Sequence, residues 1–158
     1  MIVHRQAVRA VLLTPEQDIL LMRILPPQGG QPFWITPGGG LVEGESIEDG
    51  LRRELMEELG IDSFMVGPLL WRRQHTFNWG DRRYCQREEY RAVHVARFEP
   101  HISDAVEAKT LERFHWWPVA ALKSSDEIFT PITLADIVSR YLVEGPPREP
   151  LAMEVLVD

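Results

Sequence analysis

Three glutamates, Glu54, Glu57 and Glu58, fall within five residues of one another. On a helix, residues three and four apart are neighbours, so Glu54 lies beside both of the others. Like charges in that arrangement cost a few tenths of a kcal/mol in solvent, and more where water is partly excluded. Projected at about 100° per residue, Glu54 and Glu58 fall within or beside the apolar stripe Ile47, Leu51, Leu55 and Leu59, not opposite it. A hard divalent cation would turn the repulsion into coordination. Oxygen donors suit Mg²⁺ or Mn²⁺, and Mg²⁺ characteristically reaches out from a few carboxylates to substrate phosphates. Taken alone, the same three residues also describe a solvated acidic face.

The elements that would carry them are legible. Ser46 is a good N-cap with Asp49 three residues on, and Gly60 stands where a left-handed residue ends a helix. Gly50, a poor helix former inside that span, points to close packing at its turn. Upstream, Val3 to Leu13 and Ile19 to Ile24 read as a strand pair around the turn Thr14 to Asp18, followed by a Pro/Gly loop, Pro26 to Pro32, and by Phe33-Trp34-Ile35 and the loop Thr36 to Gly40. Downstream, Phe64 to Phe77 and Tyr84 to Phe98 read as strands about the turn Asn78 to Asp81. A loop, Pro100 to Lys109, precedes a strand over Leu111 to Trp117 and a short helical turn over Pro118 to Leu122. Thr130-Pro131 reads as an N-cap with proline at the first helical position, opening a helix through Leu142 that Gly145-Pro146-Pro147 ends. Strands with two separated helices imply an α/β fold with a mixed sheet. One domain over residues 1–147 and an extended tail over 148–158 are expected.

The surroundings of the glutamates sharpen the reading. From Gly39 to Ile61 the sequence runs GGLVEGESIEDGLRRELMEELGI. It resembles the Nudix box at every fixed position: Gly39, Glu45, Arg53, Glu54, Leu55, Glu57, Glu58, Gly60 and Ile61. The resemblance implies an α/β/α sandwich and metal-dependent hydrolysis of a diphosphate linkage in a nucleoside diphosphate derivative. It also implies that Glu54, Glu57 and Glu58 bind Mg²⁺ or Mn²⁺ together with the Gly39 carbonyl. Arg53 would orient those carboxylates, the supporting role that metal sites need, and Glu45 would support Arg53 or a ligand. Glu54, Glu57, Arg53 and Glu45 are thus the expected catalytic set. Glu54 is the first choice of general base, with Glu88, Glu89, Glu107 and Glu112 as outside candidates that also read as ordinary strand or surface residues.

Arg23, at the end of the second strand, could hold a substrate phosphate through a two-pronged contact, or be a solvated strand-end arginine. Among Trp34, Trp71, Phe77, Trp79 and Tyr84, one or two could stack on a base, at roughly 1–3 kcal/mol each, while most read as packing. Trp116 and Trp117, adjacent on a strand, should face opposite ways. The five histidines lack metal-ligand spacing. Cys85, the single cysteine, has no partner for a disulfide or for the acid–cysteine chemistry of an isoprenoid diphosphate isomerase.

Composition limits the partners. The 158 residues carry 17 Lys+Arg against 24 Asp+Glu, a net charge of −7, with the basic residues scattered. That argues against polymeric nucleic acid and leaves room for a small phosphorylated molecule held through a metal; the small nucleotide-type substrate is what the resemblance implies. No apolar run approaches the ~20 residues of a membrane span. A cytoplasmic protein, with a homodimer possible through the 148–158 tail, completes the expectation. The alternative is a Nudix-fold module that senses a nucleotide without turning it over.

Overall fold

The computed structural model describes residues 1–101, 110–149 and 152–158. At its centre lie β1 (Ile2–Leu13) and β2 (Asp18–Ile24); β1 from Ala7 on and β2 are nearly continuous apolar runs because both faces are covered there. Val8, Ala10, Leu12 and Leu20 enter one buried cluster, and Val11, Leu13, Ile19 and Leu21 the other. The turn between the strands is closed by the Thr14 hydroxyl, which accepts from the Asp18 N–H at 3.1 Å.

The remaining strands are β3 (Phe33–Ile35), β4 (Gly38–Gly40), β5 (Leu69–Trp79), β6 (Arg82–His94), β7 (Leu111–Pro118) and β8 (Glu154–Val157). They form an eight-stranded mixed sheet in the order β3-β2-β1-β6-β5-β8, with β4 also pairing β1 and β7 pairing β2. The contact between β1 and β6 is parallel, from Ile2 opposite Arg83 to Leu13 opposite His94. β5 and β6 form an antiparallel hairpin.

Each face of the sheet carries a helix. α1 (Ile47–Leu59) seats Leu51, Leu55 and Leu59 on Val8, Ala10, Leu12 and Val93. Burying each such leucine contributes roughly 1.5–3 kcal/mol. α2 (Leu134–Glu144) seats Leu134 and Val138 on the opposite cluster, with Trp34 and Tyr90. The result is the expected α/β/α sandwich. Trp116 packs with the α1 cluster and Trp117 with the α2 cluster, as alternation along β7 requires.

Several boundaries differ from the sequence reading. Thr36 to Gly40 is not all loop, since Gly38–Gly40 lies antiparallel against Ala7–Arg9. β5 starts at Leu69 instead of Phe64; Pro68 has no N–H to donate, and Phe64 and Val66 turn onto the α1 cluster. β5 runs on to Trp79, so the hairpin turn is shorter than Asn78 to Asp81. β6 stops at His94, where Val95 turns to donate its N–H to the Leu13 carbonyl. The second helix begins at Leu134, not at Pro131. Thr130 is tied to the sheet by an N–H bond to the Trp34 carbonyl at 3.0 Å and by Arg73 on its hydroxyl. Within the supposed tail, Glu154–Val157 forms β8, parallel to Arg73–Thr76 of β5. The expected loop Pro100 to Lys109 lies mostly outside the described residues.

Candidate active site

Helix α1 begins where the sequence says it should. The Ser46 hydroxyl accepts from the Asp49 N–H at 3.1 Å, and Gly60 ends the helix at φ 73°. Gly50 sits against the Leu41 side chain and Glu45, so a Cβ there would have to push the Leu41 methyl aside, which favours glycine at this turn. That contact brings the loop over residues 41–45 onto the first turn of α1.

The fixed point of the site is Arg53. Its Nε and Nη2 donate to the two oxygens of Glu45 at 2.8 and 2.9 Å, a two-pronged charged pair. Nη2 also donates to the Gly40 carbonyl at 2.9 Å, and Nη1 to Glu54 at 3.0 Å and Glu57 at 3.3 Å. One guanidinium therefore ties the loop, β4 and two of the three glutamates together. The Arg53 bonds, with the Val42 N–H on the same carboxylate, hold the Glu45 carboxyl down to about 2. The Glu45 contact likewise pushes Arg53 further above its already high value.

Glu54 and Glu58 are buried, at 7% and 5% exposure, whereas Glu57 is exposed. Glu54 lies directly against Gly39, where a Cβ would stand only 2.6–2.7 Å from the carboxylate atoms. Glu58 accepts from the Gly38 N–H at 3.4 Å. Glycine at position 39 is thus what lets a main-chain strand lie on a buried carboxylate. Among the described residues no three carboxylates are gathered tightly enough to hold an ion by side chains alone. The donors on offer are two buried carboxylates, an exposed third and the main chain of β4. Such an all-oxygen, incompletely closed set fits Mg²⁺ or Mn²⁺, which keep waters and accept phosphate oxygens.

An open cavity of about 660 Å³ borders the loop, lined among others by Arg5, Gln6, Val42, Glu45 and Arg87. A larger one, of about 820 Å³, lies between α2, β5 and the C-terminal segment and shares none of these residues.

Of the other candidates, Arg23 is engaged by Glu112 and stands 4.0 Å from Glu127. Glu112 is committed to the same pair. Glu89 bonds Arg91 at 3.4 Å. Glu107 lies outside the described residues. Glu88 is buried and accepts from Arg9, Arg73, Gln86 and Tyr90. Burial alone would raise its carboxyl, but Arg9 and Arg73 outweigh that and hold it below the ordinary range. A carboxylate so saturated is a poor proton acceptor. Trp34 is core, only 1% exposed, and so is not free to stack on a base.

Sequence reasoning missed the cluster around Glu88. Arg9 donates its Nη1 to the carbonyls of Thr36 at 3.3 Å and Gly38 at 3.2 Å, and so reaches the same glycine strand from behind. The signal was an arginine inside the apolar run Ala7 to Leu13, on the face of Val11 and Leu13. Its partner is brought up by the parallel β1–β6 pairing, which no local pattern specifies.

Fold and site together define an α/β/α protein whose loop–helix unit gathers buried oxygen donors of the kind a hard cation takes. A family model described as NUDIX domain matches residues 3–136, and the chain belongs to the Nudix family. It is 32% identical over 78 residues to Nudix hydrolase 2 of Arabidopsis thaliana, covering 49% of this chain and 28% of that protein. The match thus spans well under half the length of that relative. Among solved structures it resembles a MutT Nudix hydrolase from Burkholderia pseudomallei, at 25% identity and TM-score 0.62, over 84% of this chain and 95% of that one. It also resembles the Nudix domain of Shewanella oneidensis NrtR, solved with ADP ribose, at 21% identity and TM-score 0.65, over 90% of each chain.

Proposed function

We propose that this chain hydrolyses the diphosphate linkage of a nucleoside diphosphate derivative or nucleotide with the help of Mg²⁺ or Mn²⁺. The observation that carries the reading is the seating of Glu54 on Gly39 under the Arg53 clamp. Glu54, Glu57, Glu58 and the Gly39 carbonyl would hold the ion, which when bound neutralises the diphosphate and activates water for in-line attack. Arg53 would orient Glu54 through its Nη1 bond, Glu45 would fix Arg53, and Glu54 is our choice for the group that takes the proton of the attacking water. Burial of Glu54 and Glu58 excludes bulk water from the donor side. Arg23 would contact substrate only after leaving Glu112. Family membership supports the chemistry, and the neighbour solved with ADP ribose supports a small nucleotide-type ligand.

The net charge of −7 supports a ligand other than polymeric nucleic acid. Among the described residues no helix is long and apolar enough to cross a membrane. A cytoplasmic setting and a homodimer complete the proposal, with residues 1–147 as the catalytic unit.

The test is turnover of a panel of nucleoside triphosphates, dinucleoside polyphosphates and ADP-sugars, with Mg²⁺ and with EDTA. Metal-dependent product formation that Glu54→Gln and Glu58→Gln abolish supports the proposal. Tight binding without turnover would make the chain a nucleotide-sensing module instead.

A further inference from the structure

The two oxygens of Glu88 are fully engaged. Oε2 accepts from Arg9 Nε at 3.1 Å and Gln86 Nε2 at 3.0 Å, and Oε1 from Arg73 Nε at 2.8 Å and the Tyr90 hydroxyl at 3.4 Å. The carboxylate is 1% exposed and the two arginine side chains 13% and 5%. The cluster holds two guanidiniums that face different ways. Arg73 points its other nitrogen to the Thr130 hydroxyl at 2.7 Å, toward the start of the α2 segment. Arg9 points its other nitrogen to the carbonyls of Thr36 and Gly38.

The Arg9 branch ends on the strand that the candidate site depends on. The Gly38 carbonyl is held by Arg9 while its N–H is held by Glu58. The next residue is Gly39, where Glu54 occupies the space a Cβ would take. Gly38 sits at φ 138°, in a region that only glycine occupies comfortably, so β4 has little intrinsic preference for this path. Three glycines in a row must be fixed from outside. The β1 ladder sets the register of the strand, and at its ends Arg53 adds a tie to the Gly40 carbonyl and Arg9 a tie to the Gly38 carbonyl.

We infer that Glu88 is a positioning residue for the metal site, holding Arg9 so that Arg9 in turn fixes the Gly38–Gly39 peptide on which Glu54 and the cation are seated. The inference rests on the reading of Gly39 as a metal ligand. Glu88 touches neither metal nor substrate and acts only through Arg9. Arg73 shares the same carboxylate but leads elsewhere, so it serves as the internal control.

The experiment compares Glu88→Gln, Arg73→Lys and Arg9→Lys with the unmodified chain. Two readouts are taken on folded protein: Mn²⁺ affinity from the free-ion EPR signal, and amide hydrogen exchange at Gly38, Gly39 and Gly40 without metal. Glutamine cannot replace the charge that orients Arg9, and lysine at position 9 cannot make the forked contact to Glu88 and the carbonyls together. Glu88→Gln and Arg9→Lys should each weaken Mn²⁺ binding by about 10–100-fold, the range for outer-shell residues, and accelerate exchange across the three glycines. Arg73→Lys should leave both readouts within twofold. If Glu88→Gln does not fold, Arg9→Lys decides. Unchanged glycine exchange in Glu88→Gln or Arg9→Lys overturns the inference, and so does an equal effect from Arg73→Lys. Failure of the unmodified chain to bind Mn²⁺ would sink the metal reading itself, while the exchange data would still decide whether Glu88 fixes the strand.

Discussion

Glu45 and Arg53 meet edge to edge, Nε on one carboxylate oxygen at 2.8 Å and Nη2 on the other at 2.9 Å. They are eight residues apart and belong to different elements, a loop and the second turn of a helix. The pair therefore joins the glycine-rich entry to the helix that carries the acids. Because the remaining Arg53 nitrogen serves Glu54 and Glu57, any loosening at Glu45 is passed on to the candidate ligands.

Arg53→Lys keeps the charge but loses the fork. A single ammonium cannot serve Glu45, Gly40 and Glu54 together. Metal affinity should fall by about 10–100-fold, and kcat with it, while the melting temperature drops by only a few degrees. Isothermal titration with Mn²⁺ and a thermal melt decide the matter. An unchanged Kd would show that Arg53 is ornamental to the site.

Glu45 should leave a signature in acid. Its carboxyl falls from an ordinary 4.5 to about 2 on folding. A group depressed in the folded state stabilises it above the unfolded value, and that stability disappears as pH falls from about 4.5 toward 2. The difference in stability between the unmodified chain and Glu45→Gln should thus be largest near pH 7 and shrink below pH 4. Urea unfolding at both pH values measures it. A gap that persists undiminished at pH 2.5 would contradict the assignment.

Gly39→Ala places a methyl 2.6–2.7 Å from the Glu54 carboxylate. Either the strand or Glu54 must shift, at a cost of about 1–3 kcal/mol for an overpacked site. Activity should fall below 1% of normal, an order-of-magnitude expectation consistent with displaced catalytic groups. A fully active, fully stable variant would mean that Glu54 is not seated on this strand during turnover.

Glu57→Gln and Glu58→Gln should separate by stability as well as by activity. Both should lower metal-dependent turnover strongly. Glu57 is exposed, so its replacement should stay within about 0.5 kcal/mol of normal stability. Glu58 is buried, and neutralising it removes a like charge near Glu54 while its amide oxygen can still accept from Gly38. Metal-free stability should hold or rise. A large loss in metal-free melting temperature for Glu58→Gln would show that its charge is structural.

Much of this was written locally. Ser46, the leucine stripe and Gly60 specify α1 to the residue, and the glutamates fall on it at fixed phase. The strand character of β1 is legible in its Val, Leu and Ala content, and burial on both faces is confined to its second half, from Ala7 on. Long-range pairing was not legible. Thr130-Pro131 looks like a helix start because the side chains suit one; the structure instead ties Thr130 to Trp34 and Arg73, partners far away in sequence. Glu154–Val157 alternates weakly and reads as tail, since only the edge of β5 makes it a strand. Glu88 reads as an outside candidate for the general base or an ordinary strand or surface acid, and only the parallel pairing of β1 with β6 sets it beside Arg9.

The late strand β8 has a protective consequence. By lying along Arg73–Thr76 it covers part of the outer rim of β5, with Asp158 continuing the cover through an N–H bond to the Thr76 carbonyl. An uncovered rim of that kind is a template for foreign extended peptides. Loss of residues 152–158 would leave the acids of α1 untouched while turning a sealed seam into a sticky one, so solubility would suffer before chemistry did.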